Sequence, residues 1–164
     1  DVYDTIPNWE TYSGSGIEIQ KNTIVAAHSP DHYVELDSNN NSGMVQFVPL
    51  SAGTYELSFW YRPRTNTLLD NGINILFMSP GNVIDNVDGI SSDFDDWAQY
   101  SFLLHAPTSD SWGIGFHATG ASNSLGGFID SVELKAVPEP ATMLLLGFGL
   151  IGLATIQRKK FFKK

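Results

Sequence analysis

Within the first 137 residues, no window of helical length carries apolar residues at a 3.6-residue period without a glycine or proline interrupting it. Such a chain has no helical stripe to bury, which leaves strands to build its core. Nine short segments rich in β-branched and aromatic residues alternate with clusters of Gly, Asn, Asp, Ser and Pro. They are Ile17 to Gln20, Thr23 to Ala27, His32 to Asp37, Met44 to Val48, Thr54 to Arg62, Ile73 to Met78, Trp97 to His105, Trp112 to Ala118 and Gly127 to Leu134. The longest, Thr54 to Arg62, puts Tyr55, Leu57, Phe59 and Tyr61 on one face and Glu56, Ser58, Trp60 and Arg62 on the other. The expected fold is all-β, an antiparallel β-sandwich of the jelly-roll kind.

Charge narrows the partners. Residues 1 to 138 hold 17 acidic side chains against Lys21, Arg62, Arg64 and Lys135, a formal −13. Such a surface repels phosphate backbones, so no nucleic-acid partner is expected. The absence of cysteine excludes disulfides, thiolate metal sites and cysteine nucleophiles. The chain starts at Asp1 with no basic patch followed by an apolar stretch, so any secretion signal is expected to have been removed or left out.

Composition changes abruptly near Val137, which predicts an extracytoplasmic sandwich over 1–137 and an appendage over 138–164. Ala141 to Ile156 is sixteen residues without a charge, about 24 Å as a helix at about 1.5 Å per residue. That is slightly short of a ~30 Å hydrocarbon core, as suits a weak or temporary anchor. A transmembrane helix is expected over about 141–157, its apolar surface made by Ala141, Leu144, Leu145, Leu146, Phe148, Leu150, Ile151, Leu153 and Ile156. Arg158, Lys159 and Lys160 then stop the span and open a basic tail over 158–164. Positive charge stays cytoplasmic, so the sandwich is expected on the outer side of the membrane. Before the span, Pro138 and Pro140 fix φ, lack amide donors and keep Val137-Pro-Glu-Pro-Ala141 extended. An extended peptide at a membrane surface suits a protease groove, and equally a stiff linker.

The order Val-Pro-Glu-Pro-Ala-Thr, a short Leu/Gly-rich run and a terminal Arg/Lys cluster resembles the PEP-CTERM sorting signal of Gram-negative, biofilm-forming bacteria. The resemblance implies an exosortase, an integral-membrane cysteine protease, as partner, with Pro138, Glu139 and Pro140 as the recognition residues. The sandwich is similar to galactose-binding-like, carbohydrate-binding-module-like jelly rolls through His32-Tyr-Val-Glu-Leu-Asp37, Gly53 to Arg64 and Gly126-Gly-Phe-Ile-Asp-Ser-Val-Glu-Leu134. Such relatives begin with an extra strand bearing an Asn-Gly-x-Phe-Glu-like segment. With none before Asp1, the chain is expected either to lack one edge strand or to be a fragment.

Asp130 lies in an otherwise apolar strand, where an uncompensated carboxylate is costly. The resemblance implies a structural calcium ion there, held with backbone carbonyls near the N-terminus. The alternative is that Asp130 faces solvent or caps a turn amide. Asp85-Asn-Val-Asp88 and Asp93-Phe-Asp-Asp96 lack the spacing of a twelve-residue calcium loop and read as solvated loop. His28-Ser-Pro-Asp-His32 offers two imidazoles, yet Pro30 forbids a helix that would align them on a metal. Ser38 to Ser42 reads as a polar loop tip. Trp60, Arg62, Arg64, Trp97 and Trp112 are the candidates for sugar binding, since aromatic rings stack on pyranoses and arginine donates to hydroxyls. Equally, aromatics alternating along strands fill cores.

The expectation is an exported, non-enzymatic surface or matrix protein that starts anchored in the inner membrane, with a periplasmic sandwich that either binds polysaccharide or packs into the biofilm matrix. Two alternatives stay open. One is a carbohydrate-active enzyme using loop carboxylates, which needs a pair roughly 5 to 9.5 Å apart. The other is a permanently anchored structural protein.

Overall fold

The computed structural model describes residues 1–67, 69–79, 82–87 and 96–138. Twelve strands follow in chain order: β1 (Val2–Tyr3), β2 (Thr5–Ile6), β3 (Trp9–Ser13), β4 (Ile17–Gln20), β5 (Tyr33–Glu35), β6 (Gly43–Leu50), β7 (Gly53–Arg62), β8 (Gly72–Ser79), β9 (Asn82–Val87), β10 (Ala98–Ala106), β11 (Asp110–Thr119) and β12 (Phe128–Ala136). They form two six-stranded antiparallel sheets, ordered β1-β4-β5-β12-β7-β10 and β2-β3-β6-β11-β8-β9. The fold is the expected all-β sandwich.

The alternation in β7 sets the core. Leu57, Phe59 and Tyr61 point inward with no exposure, and Trp112, Ile114 and Phe116 of β11 and Ile73, Ile75 and Phe77 of β8 meet them from the other sheet. Phe59 and Phe116 join the layers edge to face, 4.9 Å between centroids. Gly127 sits where only a glycine fits: a Cβ would lie 2.5 Å from the Tyr61 ring. There the Tyr61 hydroxyl, buried and pushed up in pKa by that burial, donates to Asn71 O.

Three differences from the sequence reading matter. First, the strands begin before Ile17. β1 pairs with β4, and a two-residue turn over Pro7 and Asn8 (φ 68°) folds β2 onto β3, which pairs with β6. Second, Thr23 to Ala27 is not a strand. Asn22 takes φ 49°, its Oδ1 accepts from Ala27 N (2.6 Å), and Thr23 Oγ1 donates to Lys21 O. Such local side-chain bonds give the backbone an alternative to a ladder, and residues 21–32 become a long connection across the outer face of the first sheet. Third, Asp85 to Val87 belongs to β9, paired with β8, so Asp85 lies in a strand and not in a loop. Asp88, Asp93 and Asp95 lie outside the described residues.

Pro138 is the last described residue, so Glu139, Pro140, the apolar run and the basic tail all lie beyond the described part. Among the described residues, no helix is long and apolar enough to cross a membrane.

Candidate functional site

The outer face of the first sheet is built by the residues that alternate with the core. On β7 these are Ser58, Trp60 and Arg62; register places Gln99 and Asp130 beside Trp60, and Phe128 beside Arg62 and Glu35. The 21–32 connection is fastened over them at three points. Ser29 N donates to Asp130 Oδ2 (2.8 Å), Val25 N to the Tyr33 hydroxyl (3.2 Å), and Trp97 Nε1 donates to Ala26 O (2.8 Å).

This fastening lays the exposed His28 ring on Trp60, 3.8 Å between centroids and 16° from parallel. Trp97 meets His28 edge-on at 6.4 Å and Tyr33 at 5.7 Å, and Tyr33 packs on Phe128 at 4.7 Å. The result is an aromatic shelf whose open face is His28, flanked by half-buried Trp60 and Trp97. Exposed Gln99, Ser101 and Ser131 border it with donors and acceptors. Ser131 Oγ lies 3.2 Å from His28 Nδ1 and is directed there by a β-bulge between Asp130 and Glu133, where Ser131 takes φ 51°.

The five aromatic and basic candidates therefore separate. Trp60 and Trp97 converge on the shelf. Trp112 does not: it is 1% exposed and stacks on Phe77 in the core, its Nε1 bonded to Thr108 O, so it has no face for a ligand. Arg64 donates to the buried Glu35 carboxylate and to Ser124 O, which makes it a brace. Arg62 is half-buried, and its Nε has no partner among the described residues. His28 was visible in sequence only beside Pro30 and His32, with nothing to indicate Trp60 as its neighbour.

Asp130 is 6% exposed, and both of its oxygens accept hydrogen bonds, Oδ1 from Ser131 Oγ (3.1 Å) and Oδ2 from Ser29 N. It therefore caps a turn amide, as one of the sequence readings had it. Among the described residues, no group of three His, Asp or Glu side chains could hold a metal ion. One carboxylate already facing two donors is a poor fit to the calcium shell the resemblance implies at this position.

Beside Asp130 a cleft of about 250 Å³ opens between the sheets, lined by Trp9, His32, Tyr33 and Gln46 among others, with Asp130 as its one carboxylate. Two further clefts hold Glu10 and Asp1 respectively, again one carboxylate each.

The sandwich of two antiparallel sheets is a fold shared with carbohydrate-binding modules. The fold is similar to a family 35 carbohydrate-binding module from Clostridium thermocellum, at 16% identity and TM-score 0.56, covering 84% of this chain and 98% of that one. It is also similar to the K1 cleaved adhesin domain of Lys-gingipain from Porphyromonas gingivalis (14%, TM-score 0.61, 84% and 97%). An arabinose-bound GH51 α-L-arabinofuranosidase matches too (15%, TM-score 0.59, 78% of this chain), and the chain spans only 23% of that enzyme. At these identities the likeness is one of fold alone. No curated protein matches the chain. Residues 136–159 match the PEP-CTERM protein-sorting motif, which marks an exported protein sorted through an exosortase.

Proposed function

We propose that this protein is delivered to the cell surface or the extracellular matrix by exosortase processing of its tail, and that its sandwich binds polysaccharide without catalysing a reaction. The shelf of His28, Trp60 and Trp97, bordered by Gln99, Ser101 and Ser131, carries the binding reading. Rings present an apolar face to the C–H side of a pyranose, and amide and hydroxyl groups alongside take its hydroxyls. The likeness to carbohydrate-binding modules supports it. Each described cleft holds a single carboxylate, which favours binding over glycoside hydrolysis. A glycan array probed with the full chain tests the reading. Binding to at least one glycan is expected, weakened about tenfold by Trp97→Ala, on the scale of one lost aromatic contact. Binding that Trp97→Ala leaves unchanged, or no binding to any glycan, sinks the shelf as a sugar site.

In the same reading, the tail anchors the protein in the inner membrane with the sandwich in the periplasm. Pro138, Glu139 and Pro140 are the segment the exosortase reads, and the apolar run with Arg158, Lys159 and Lys160 is removed. Mass spectrometry of the mature protein from its native host should find a C-terminus that lacks the apolar run, and Glu139→Ala should restore the tail. A mature wild-type protein ending at Lys164 overturns the processing step and leaves a permanently anchored protein.

A further inference from the structure

Strand β10 closes one edge of the first sheet and pairs with β7 alone. Its register runs unbroken from Ala98 opposite Tyr61 to Ala106 opposite Gly53, nine residues without a bulge. Alternate residues of such a strand turn both N–H and C=O away from the sheet. Among the described residues, no strand, turn or side chain takes up these outward groups of 98–106. A bare edge of this length invites pairing, and native sheets blunt theirs with brevity, a charge, a proline or a bulge. The other three edges of this sandwich are blunted in that way. β1 and β2 are two residues each, and β9 contains Asp85 and meets β8 across a register shift. Ala98-Gln-Tyr-Ser-Phe-Leu-Leu-His-Ala106 has none of these devices, since no Asp, Glu, Lys, Arg or Pro stands in it. It adds apolar surface instead. Leu103 is 71% exposed on the outer face, and half-buried Tyr100 and Phe102, stacked on Phe59 at 6.0 and 6.1 Å, form the rim of the core on the inner one.

We propose that β10 pairs antiparallel with β10 of a second copy of this chain, joining two six-stranded sheets into one continuous sheet. Charge selects the place. Residues 1–138 carry a formal −13, so two copies repel over most of their surface, and the uncharged strip along β10 is where they can approach. The same strand supplies both halves of a two-fold interface, which closes at two copies. Pairing along the whole strand puts Phe102 on the two-fold axis, Leu103 beside the partner's Ser101 and Tyr100 beside the partner's Leu104. At the far edge of each sheet β1 is too short to continue the ladder, so growth stops at the dimer. The axis stands perpendicular to the sheet, so both outer faces look the same way and the two shelves share one surface. That consequence rests on the sugar-binding reading. The dimer stands without it, and its test uses no glycan.

The test is sedimentation of the full chain in detergent over a concentration series, with micelles in molar excess so that two chains share one only by association. A monomer–dimer equilibrium is expected. Leu103→Glu brings like charges together across the axis, next to Glu56 on β7, and should weaken the dimer about tenfold. Its Tm should move by no more than a few degrees, because the side chain is exposed. Leu69→Glu makes the same charge change at a site 73% exposed and should leave the dimer unchanged. Because the chain has no cysteine, single-cysteine variants report proximity between copies alone. Diagonal neighbours of an antiparallel pair lie roughly 7–8 Å apart, within reach of a short bismaleimide, so Leu103→Cys should cross-link to a dimer and Leu69→Cys should not. A wild type that stays monomeric over the series, or that assembles beyond two copies, overturns the proposal. So does a dimer that Leu103→Glu leaves at full strength, as pairing through the apolar run would give, and so does equal cross-linking of the two cysteine variants.

Discussion

Replacing Arg64 by alanine should lower the Tm by about 10 °C at neutral pH and by much less near pH 4. The reason is Glu35, whose side chain has no exposure and which faces outward on β5, held by Arg64 and by Gln20 Nε2 at 3.0 Å. Burial raises the Glu35 pKa above 4.5, and the hydrogen bond and charge of Arg64 pull it part of the way back. Removing one partner of a buried pair leaves an uncompensated charge and costs about 3–5 kcal/mol. For a chain of this size that is roughly 3 °C per kcal/mol. Because the folded pKa is the raised one, the contribution of Glu35 to stability is complete below pH 4.5 and is lost as pH rises through the folded value. In Arg64→Ala burial persists while both effects of Arg64 vanish, so the folded pKa climbs further and the loss deepens toward neutral pH. Glu35→Gln should cost less, because Arg64 is 23% exposed and can turn to water, and in the double variant it should recover much of the Arg64→Ala loss. Thermal melts from pH 4 to 8 check this. A gap between wild type and Arg64→Ala that does not change with pH would mean that Arg64 acts through packing alone.

The pair also illustrates what the sequence made legible. Strand β7 announced itself because a two-residue period over nine residues has one physical reading, and its inward set is the buried set except for the half-buried Tyr55. The same rule failed in two other places. β1 and β2 are two residues each and are held by pairing with β4 and β3, which leaves no periodicity to read. Thr23 to Ala27 has strand-like composition but is taken by the Asn22 turn. The site was less legible than the fold because its contacts join distant residues: Ser29 reaches Asp130 across 101 positions, and His28 covers Trp60. Arg64 read as a sugar donor because nothing in sequence indicated that Glu35 would be buried beneath it. Ser38 to Ser42 read as a solvated tip, yet Ser42 is fully buried and Asn41 bridges to the 120–122 segment. Asp130 was legible in one respect, since a carboxylate in an apolar strand must be satisfied, and Ser29 N and Ser131 Oγ satisfy it.

Trp112→Ala and Trp60→Ala should have opposite signatures, although sequence treats the two residues alike. Trp112 faces inward on β11, where Phe77 stacks on it at 4.8 Å and 13°. Its removal empties the space of the largest fully buried side chain described and should cost about 3–5 kcal/mol, or roughly 10–15 °C of Tm. Trp60 faces outward beneath an exposed imidazole, so its loss leaves no closed cavity. Its stability cost should stay near 1 kcal/mol, the size of one ring pair. What Trp60→Ala removes is the support that holds His28 flat, so glycan affinity should fall about tenfold while the Tm moves by only a few degrees. For Trp112→Ala, any weakening of glycan binding should follow the unfolded fraction, vanishing at temperatures well below its lowered Tm. Melting curves and glycan titrations of both variants at two temperatures separate these outcomes. If Trp60→Ala loses as much stability as Trp112→Ala, the shelf is a second core layer rather than a binding face, and the outer side of the first sheet would owe its aromatics to packing the 21–32 connection.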